Sequence, residues 1–376
     1  MSATDGSVER GRRVYLDTAS GEALHPAAHR AYTDALAAAY ADPRRLHHAG
    51  RSARLVLDNA RAATAEALGL RPDEVSFTSS GTAAVQRGLL GLHRGAGRRG
   101  DTIVHSAVEH SSVIEAATWT QSPTRSVAVD PEGRIDLTAV DLEDATVMAC
   151  QAANHEVGTV QPVAELADRL DGVPLFVDAC ASAGRMPLPD GWSALAASAH
   201  KWGGPAGVGI LAVRRGARWR EPFPDDDRAG DRESGFENVP AVLAAAAALQ
   251  AVVSERDVEG ARQRALVDRI RGSVVGIPDV EVVGAPDDRL PHLVTFSCLY
   301  VDGEALVTEL DRRGFEVASG SACTSSALEP SHVLAAMGAL THGNVRVSVG
   351  RETSDEDVDR FLAVLPAVVD DLRQRL

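Results

Sequence analysis

Lys201 closes the run ALAASAHK, and the glycines and proline of WGGP follow it. A lysine held at a strand end by a rigid turn is placed to form a Schiff base, because the amine must be kept inside a cleft. Asp178 ends the apolar run PLFVD, where a carboxylate is costly unless a cation neutralises it; a protonated pyridinium nitrogen would do so. Thr78, Ser79, Ser80, Gly81 and Thr82 lie between a strand-like run and the helical pattern AAVQRGLL. Hydroxyls and backbone N–H groups converge there on a helix N-terminus, a setting that favours phosphate. His110, closing TIVHSAVEH, is placed to stack on an aromatic ring or to move a proton. Cys323 sits in ASGSACTSSALEPS among glycine, serine and threonine, which suits a reactive thiol, whereas Cys150 and Cys298 lie inside apolar runs and read as core. Arg351, directly after VRVSVG, is placed for a two-pronged grip on a carboxylate. Taken singly, each has an ordinary alternative: a surface lysine, an N-cap aspartate, a capping run, a structural histidine, a surface ion pair.

These residues need a scaffold, and the chain supplies one. The runs EVSFTSSG, DTIVHSAVEH, TVMACQAAN, PLFVDACAS, ALAASAHKWG and VGILAVRRG read as strands, separated by helical patterns such as AAVQRGLLGLH and VAELADRL. That alternation predicts a parallel sheet covered on both faces, with ligands beyond the C-terminal strand ends. Upstream, residues 52–69 predict a helix closed by Gly69, with Pro72 beyond it. Residues 219–238 are charged and poor in aliphatics and predict a mobile loop. Beyond it, two helices (VPAVLAAAAALQAVVSE and DVEGARQRALVDRIRGSVVG) lead into a smaller α/β domain.

With 376 residues, 44% hydrophobic and 24% charged, the chain is long enough for two domains. Its net charge of -15 works against direct binding to a nucleic-acid backbone. No segment approaches a run of ~18 apolar residues, and the opening MSATDGSVERGRR lacks a secretory apolar stretch. A cytoplasmic protein without membrane contact is expected. The four cysteines show neither a CxxC pair nor zinc-ligand spacing, so no metal and no disulfide framework are expected.

In order and spacing the whole set resembles the cysteine desulfurases, pyridoxal-phosphate enzymes of the class V aminotransferase, fold-type-I group. The likeness runs from YLDTAS at 15–20 to VGRETSDEDVDRF at 349–361. Its most specific part, GSACTSSALEPSHVL, resembles the cysteine loop of the iron-sulfur-cluster and nitrogen-fixation type. FTSSGT, VEHSSV, ANHEVGTVQP, VDACASAG and SAHKWGGPAGVG match the rest. The resemblance implies an α/β fold with a mostly parallel, seven-stranded type of sheet. It further implies a large cofactor-binding domain over residues 20–250 and a small domain of residues 1–19 and 251–376 carrying the cysteine loop. Pyridoxal 5'-phosphate would be held by Ser80, Gly81, Thr82, His110, His155, Asp178, Ser198, His200 and Lys201, and the substrate L-cysteine by Arg351 and Asn154. The implied reaction has L-cysteine displace Lys201 from the cofactor and the freed amine remove the α-proton. Cys323 thiolate then attacks the substrate sulfur, giving alanine and a Cys323 persulfide. A homodimer and a sulfur-accepting protein or thiolation enzyme are the implied partners.

Several positions depart from that pattern. His155 stands where relatives read asparagine, Ala181 where a glutamine would reach the ring hydroxyl, and Phe236 where a threonine of the second subunit reaches the phosphate; Glu233 replaces an arginine. Competing readings are a selenocysteine lyase or sulfinate lyase on the same fold, and a weakened sulfur-relay scaffold. A nicotinamide oxidoreductase is disfavoured by the lack of a GxGxxG after the first strand.

Overall fold

The computed structural model describes residues 12–97, 99–224, 232, 235–319 and 330–375. Its first elements are β1 (Val14–Tyr15), α1 (Pro26–Ala38), α2 (His48–Leu68), β2 (Val75–Thr78), α3 (Gly81–Ala96), β3 (Thr102–Ser106) and α4 (Ser111–Trp119). β4 (Thr124–Val127), β5 (Ala145–Gln151), α5 (Val163–Ala167), β6 (Leu175–Asp178), β7 (Ala194–Ser198) and β8 (Gly209–Val213) follow. Seven of these strands form one sheet in the order β2-β8-β7-β6-β5-β3-β4. Strands β4, β3, β5, β6 and β7 pair in parallel. β8 runs antiparallel to both β7 and β2; the connection from β7, residues 199–208, holds no crossover helix of the kind that a parallel return uses. All seven residues of β5 and all five of β7 are buried, which explains why these strands read as continuous apolar runs. β2, β3, β5, β6 and β7 all end on the same side, at Thr78, Ser106, Gln151, Asp178 and Ser198.

The remaining elements are α6 (Val239–Val274), β9 (Val280–Val283), β10 (Leu293–Cys298), α7 (Gly303–Arg312), β11 (Phe315–Glu316), α8 (His332–Met337), β12 (Asn344–Ser348) and α9 (Asp355–Arg373). α6 corrects two expectations. It is one continuous helix of 36 residues where the sequence reads as two, and the domain division after residue 250 falls inside it. Its first half packs Val239, Val242 and Leu249 with Leu57 and Trp202, and its second half packs Leu266, Val267, Ile270 and Val274 into the small-domain core. Burial at both ends outweighs the ~1 kcal/mol cost of an internal glycine such as Gly260. α6 also contains a window long and apolar enough to cross a membrane, yet half of that window is buried inside the protein.

The small domain is built on the antiparallel sheet β12-β10-β9. β1 pairs in parallel with β11, and Val14 and Leu16 pack with residues of α6, β10, β12 and α9. Much of the expected mobile loop, residues 225–231, 233 and 234, lies outside the described residues, as does the segment 320–329 with Cys323.

Candidate active site

Lys201 is positioned by its neighbours in the chain. After β7 the backbone makes a single helical turn over Ala199–Lys201, and Trp202, fully buried, donates its indole N–H to the Ala245 carbonyl of α6 at 3.2 Å. Gly203 then takes φ of 78°, a left-handed conformation that glycine adopts without a Cβ clash. The Lys201 amine donates to the carbonyls of Ala19 at 2.5 Å and Ser20 at 3.0 Å. Asp178 ends β6 one strand away, and its Oδ1 accepts the Cys180 N–H at 2.8 Å.

The anion corner sits at the start of α3. Ser80 caps the helix, its Oγ accepting the Ala83 N–H at 3.0 Å. A Cβ on Gly81 would fall 2.5 Å from Ser198 Cβ and 2.7 Å from Ser198 Oγ, so only glycine lets the helix terminus approach β7 this closely. Ser198 Oγ lies 3.0 Å from His200 Nδ1. Burial and the Lys201 charge push His200 down to about 4, so its ring is neutral at pH 7.

His110 caps α4: its Nδ1 accepts the Ser112 N–H at 3.1 Å, which leaves the ring proton on Nε2. Burial first, then the Lys201 and His332 charges, lower its pKa against an opposing effect of Asp178. The His155 ring meets that of His110 at 4.9 Å, nearly edge to face. Its pKa is driven well below the ordinary range by burial, reinforced by His110, Arg346 and Lys201. Its Nδ1 is buried with no hydrogen-bond partner.

Ser80, Gly81, Thr82, His110, His155, Asp178, Ser198, His200 and Lys201 line one cavity of about 230 Å³. Ser20, Gln151, Cys180, Ala181 and Arg346 line it as well. Two expected site residues do not. Asn154, fully buried, spends its amide on the backbone: Nδ2 donates to Val108 O at 3.1 Å, 46 residues away in sequence, and Oδ1 accepts the Glu156 and Val157 N–H groups of its own turn. Arg351 lines separate clefts, one with Glu22, Arg185 and Glu255 and another with Arg12 and Asp357. β12 ends at Ser348, and the chain has passed the cavity rim by Arg351. Arg346, within β12, is the arginine that lines the cavity. It donates to His155 O at 2.9 Å, Asp17 Oδ1 at 3.0 Å and Ser20 Oγ at 2.6 Å, and its Nε is buried without a partner. The sequence carries a signal for it: Arg346 is the charged residue between Val345 and Val347, which pack in the small-domain core, so it must face the other way.

Cys180 also went unforeseen. Burial, and then Asp178, raise its thiol pKa far above the usual range, so it stays protonated and is a poor nucleophile.

The residues fit a phosphorylated pyridine aldehyde. A helix N-terminus with hydroxyls offers a phosphate site, and the same cavity is lined by the Asp178 carboxylate, which suits a protonated ring nitrogen, and by the Lys201 amine, which suits an aldehyde.

The class-V aminotransferase pattern matches residues 14–361. The chain is 34% identical over 377 residues to the cysteine desulfurase IscS of Dictyoglomus turgidum, covering 96% of each. It is 32% identical over 350 residues to the cysteine desulfurase NifS of Azotobacter vinelandii, covering 89% of this chain and 87% of that one. A solved NifS-like protein superposes with a TM-score of 0.87 at 26% identity, over 96% of this chain and all of the other.

Proposed function

The chain belongs to the class-V aminotransferase family, among its cysteine desulfurases, and we propose that this cavity converts L-cysteine to L-alanine with Lys201 and Cys323 as the reacting side chains. What supports the reading is the convergence of Lys201, Asp178, His110 and the Ser80–Thr82 turn on one cavity. Bound pyridoxal phosphate supplies an aldehyde that takes an amino group and a ring that takes up electron density. Lys201 would hold the cofactor through its aldehyde and, when its amine is free, would move the α-proton of the substrate. Asp178 would hold a proton on the ring nitrogen, and His110, with its own proton on Nε2, would stack on the ring. Ser80, Gly81, Thr82, Ser198 and His200 hold the phosphate. Arg346 orients the substrate carboxylate. The Cys323 thiolate forms an S–S bond to the substrate sulfur as the C–S bond breaks; the electron pair stays with carbon, which takes a proton and leaves as alanine.

The finer readings are a homodimer in the cytoplasm that passes sulfur to an acceptor protein or thiolation enzyme. Leu36, Tyr40, Leu46, Leu55 and Phe236 are exposed on or beside α1 and α2, where Arg44 bonds Glu237 at 3.0 Å. A second copy covering this apolar surface accounts for it.

The test compares the native chain with Lys201→Ala and Cys323→Ser, supplied with pyridoxal phosphate, L-cysteine and a reductant. Alanine and sulfide in equal amounts, reduced by about 10³-fold in both variants, support the reading. Neither product from a cofactor-loaded native chain overturns it, and a single-chain mass by sedimentation of the same preparation overturns the dimer.

A further inference from the structure

Both stretches that flank the Cys323 segment in sequence are bonded to the walls of the cavity. Before it, Ala318 and Arg346 exchange backbone hydrogen bonds, Ala318 N to Arg346 O at 3.2 Å and Arg346 N to Ala318 O at 2.8 Å. Arg346 in turn donates to the His155 carbonyl. After it, Ser331 Oγ donates to Glu156 Oε2 at 2.6 Å inside the protein, and His332 Nε2 donates to the Glu109 carbonyl at 2.8 Å. Glu156 directly follows His155, and Glu109 directly precedes His110. The two bonds therefore land beside two of the imidazoles that line the cavity, His155 and His110.

The attachment is a built one. Ser331, 1% exposed, gives its proton to Glu156 while its oxygen accepts the Leu334 N–H as cap of α8. Val333, Leu334 and Met337 of α8 form an apolar cluster with Val108 and Val157, one residue beyond each of the two glutamates. The other Glu156 oxygen lies 3.6 Å from His155 Nε2. A buried carboxyl is kept only where it is hydrogen-bonded, and here its bond joins the cavity wall to the foot of α8.

We propose that Glu156, Ser331 and His332 are positioning residues for sulfur transfer: they set the point from which the Cys323 segment departs, relative to His110 and His155. The inference rests on the desulfurase reading of the same cavity. Fixing the residues that flank a reacting group raises its effective concentration, and freeing one of them lowers it. No bond made or broken on the substrate involves these three side chains.

The experiment uses pyridoxal-phosphate-loaded native chain, Glu156→Ala, Ser331→Ala and Glu156→Gln. The glutamine keeps an oxygen that accepts from Ser331. Two readouts are taken: the visible absorbance change on adding L-cysteine, with its concentration dependence, and the single-turnover rate of persulfide formation on Cys323 by mass spectrometry. The expected result is an absorbance response within about 2-fold of native in every variant. Persulfide formation is expected to slow by about 10- to 100-fold in Glu156→Ala and Ser331→Ala and to recover in Glu156→Gln. Persulfide at the native rate in both alanine variants overturns the inference. So does equal loss of the absorbance response, which would mean that the pair merely supports the cavity. Ser331→Ala removes the same bond with little change in volume, so a misfolded Glu156→Ala does not end the test. A native chain that forms no persulfide overturns the desulfurase reading itself, an outcome separate from native-like variants.

Discussion

The cavity has two walls of different origin. One is made by the ends of β2, β6 and β7 and carries Thr82, Asp178 and Lys201; the other brings His155 against Arg346 from β12, far along the chain. The first wall follows local rules: an apolar strand stops, and the next polar residue faces the space beyond the sheet. The second depends on how the small domain docks. Side chains on the first wall point where their own strand directs them, whereas the second wall exists only because Arg346 reaches across to His155, Asp17 and Ser20.

The sharpest way to break this contrast is to exchange the two candidate arginines. Arg346→Ala is expected to raise the KM for L-cysteine by about 10- to 100-fold, the size of a lost charge-assisted hydrogen bond, while Arg351→Ala stays within about 2-fold. Steady-state kinetics with alanine as readout checks this, and the reverse ranking would return the carboxylate to Arg351. A smaller effect probes the first wall. Gly81→Ala forces a Cβ against Ser198, at an overpacking cost of about 1–3 kcal/mol, and is expected to weaken pyridoxal phosphate binding by about 10-fold, read by absorbance titration of the apoprotein. Unchanged affinity would show that the helix terminus does not hold the phosphate.

A separate effect, on stability and not on activity, lies beneath both walls. Burial raises the Glu109 carboxyl to about 8 from 4.5, and one of its oxygens has no partner. With the folded pKa raised, the unfolded chain ionises first, so the contribution to stability is complete below pH 4.5 and is lost as pH rises toward 8. Glu109→Gln removes that loss. Denaturant melts are expected to show equal stability at pH 4 and an advantage for the variant on the order of 5 kcal/mol at pH 9. Parallel curves across that range would mean that Glu109 is solvated in solution.

Much of the fold was legible because burial on both faces forces continuous apolar strands, and helices between them force parallel pairing. The α2 helix ends at Leu68, one residue before the Gly69 that marked its close. α6 was misread as two helices because the polar stretch Ser254–Gly260 resembles a break, and only packing at both ends shows that it continues. In the site, the strand-end residues Asp178, Ser198 and Lys201 lie together as their positions suggested. Asn154 and Arg351 do not join them.

Taken alone, the sequence determined which residues end each strand and what chemistry their types permit, since a period of two and a helix cap are properties of a few consecutive residues. Only the tertiary structure decided that Asn154, next to His155, does not line the cavity, and that Arg346 rather than Arg351 does. Neighbouring positions on a turn or past a strand end differ by a rotation of the backbone. That rotation is set by contacts such as Arg346 to His155, 191 residues apart, which no local pattern records.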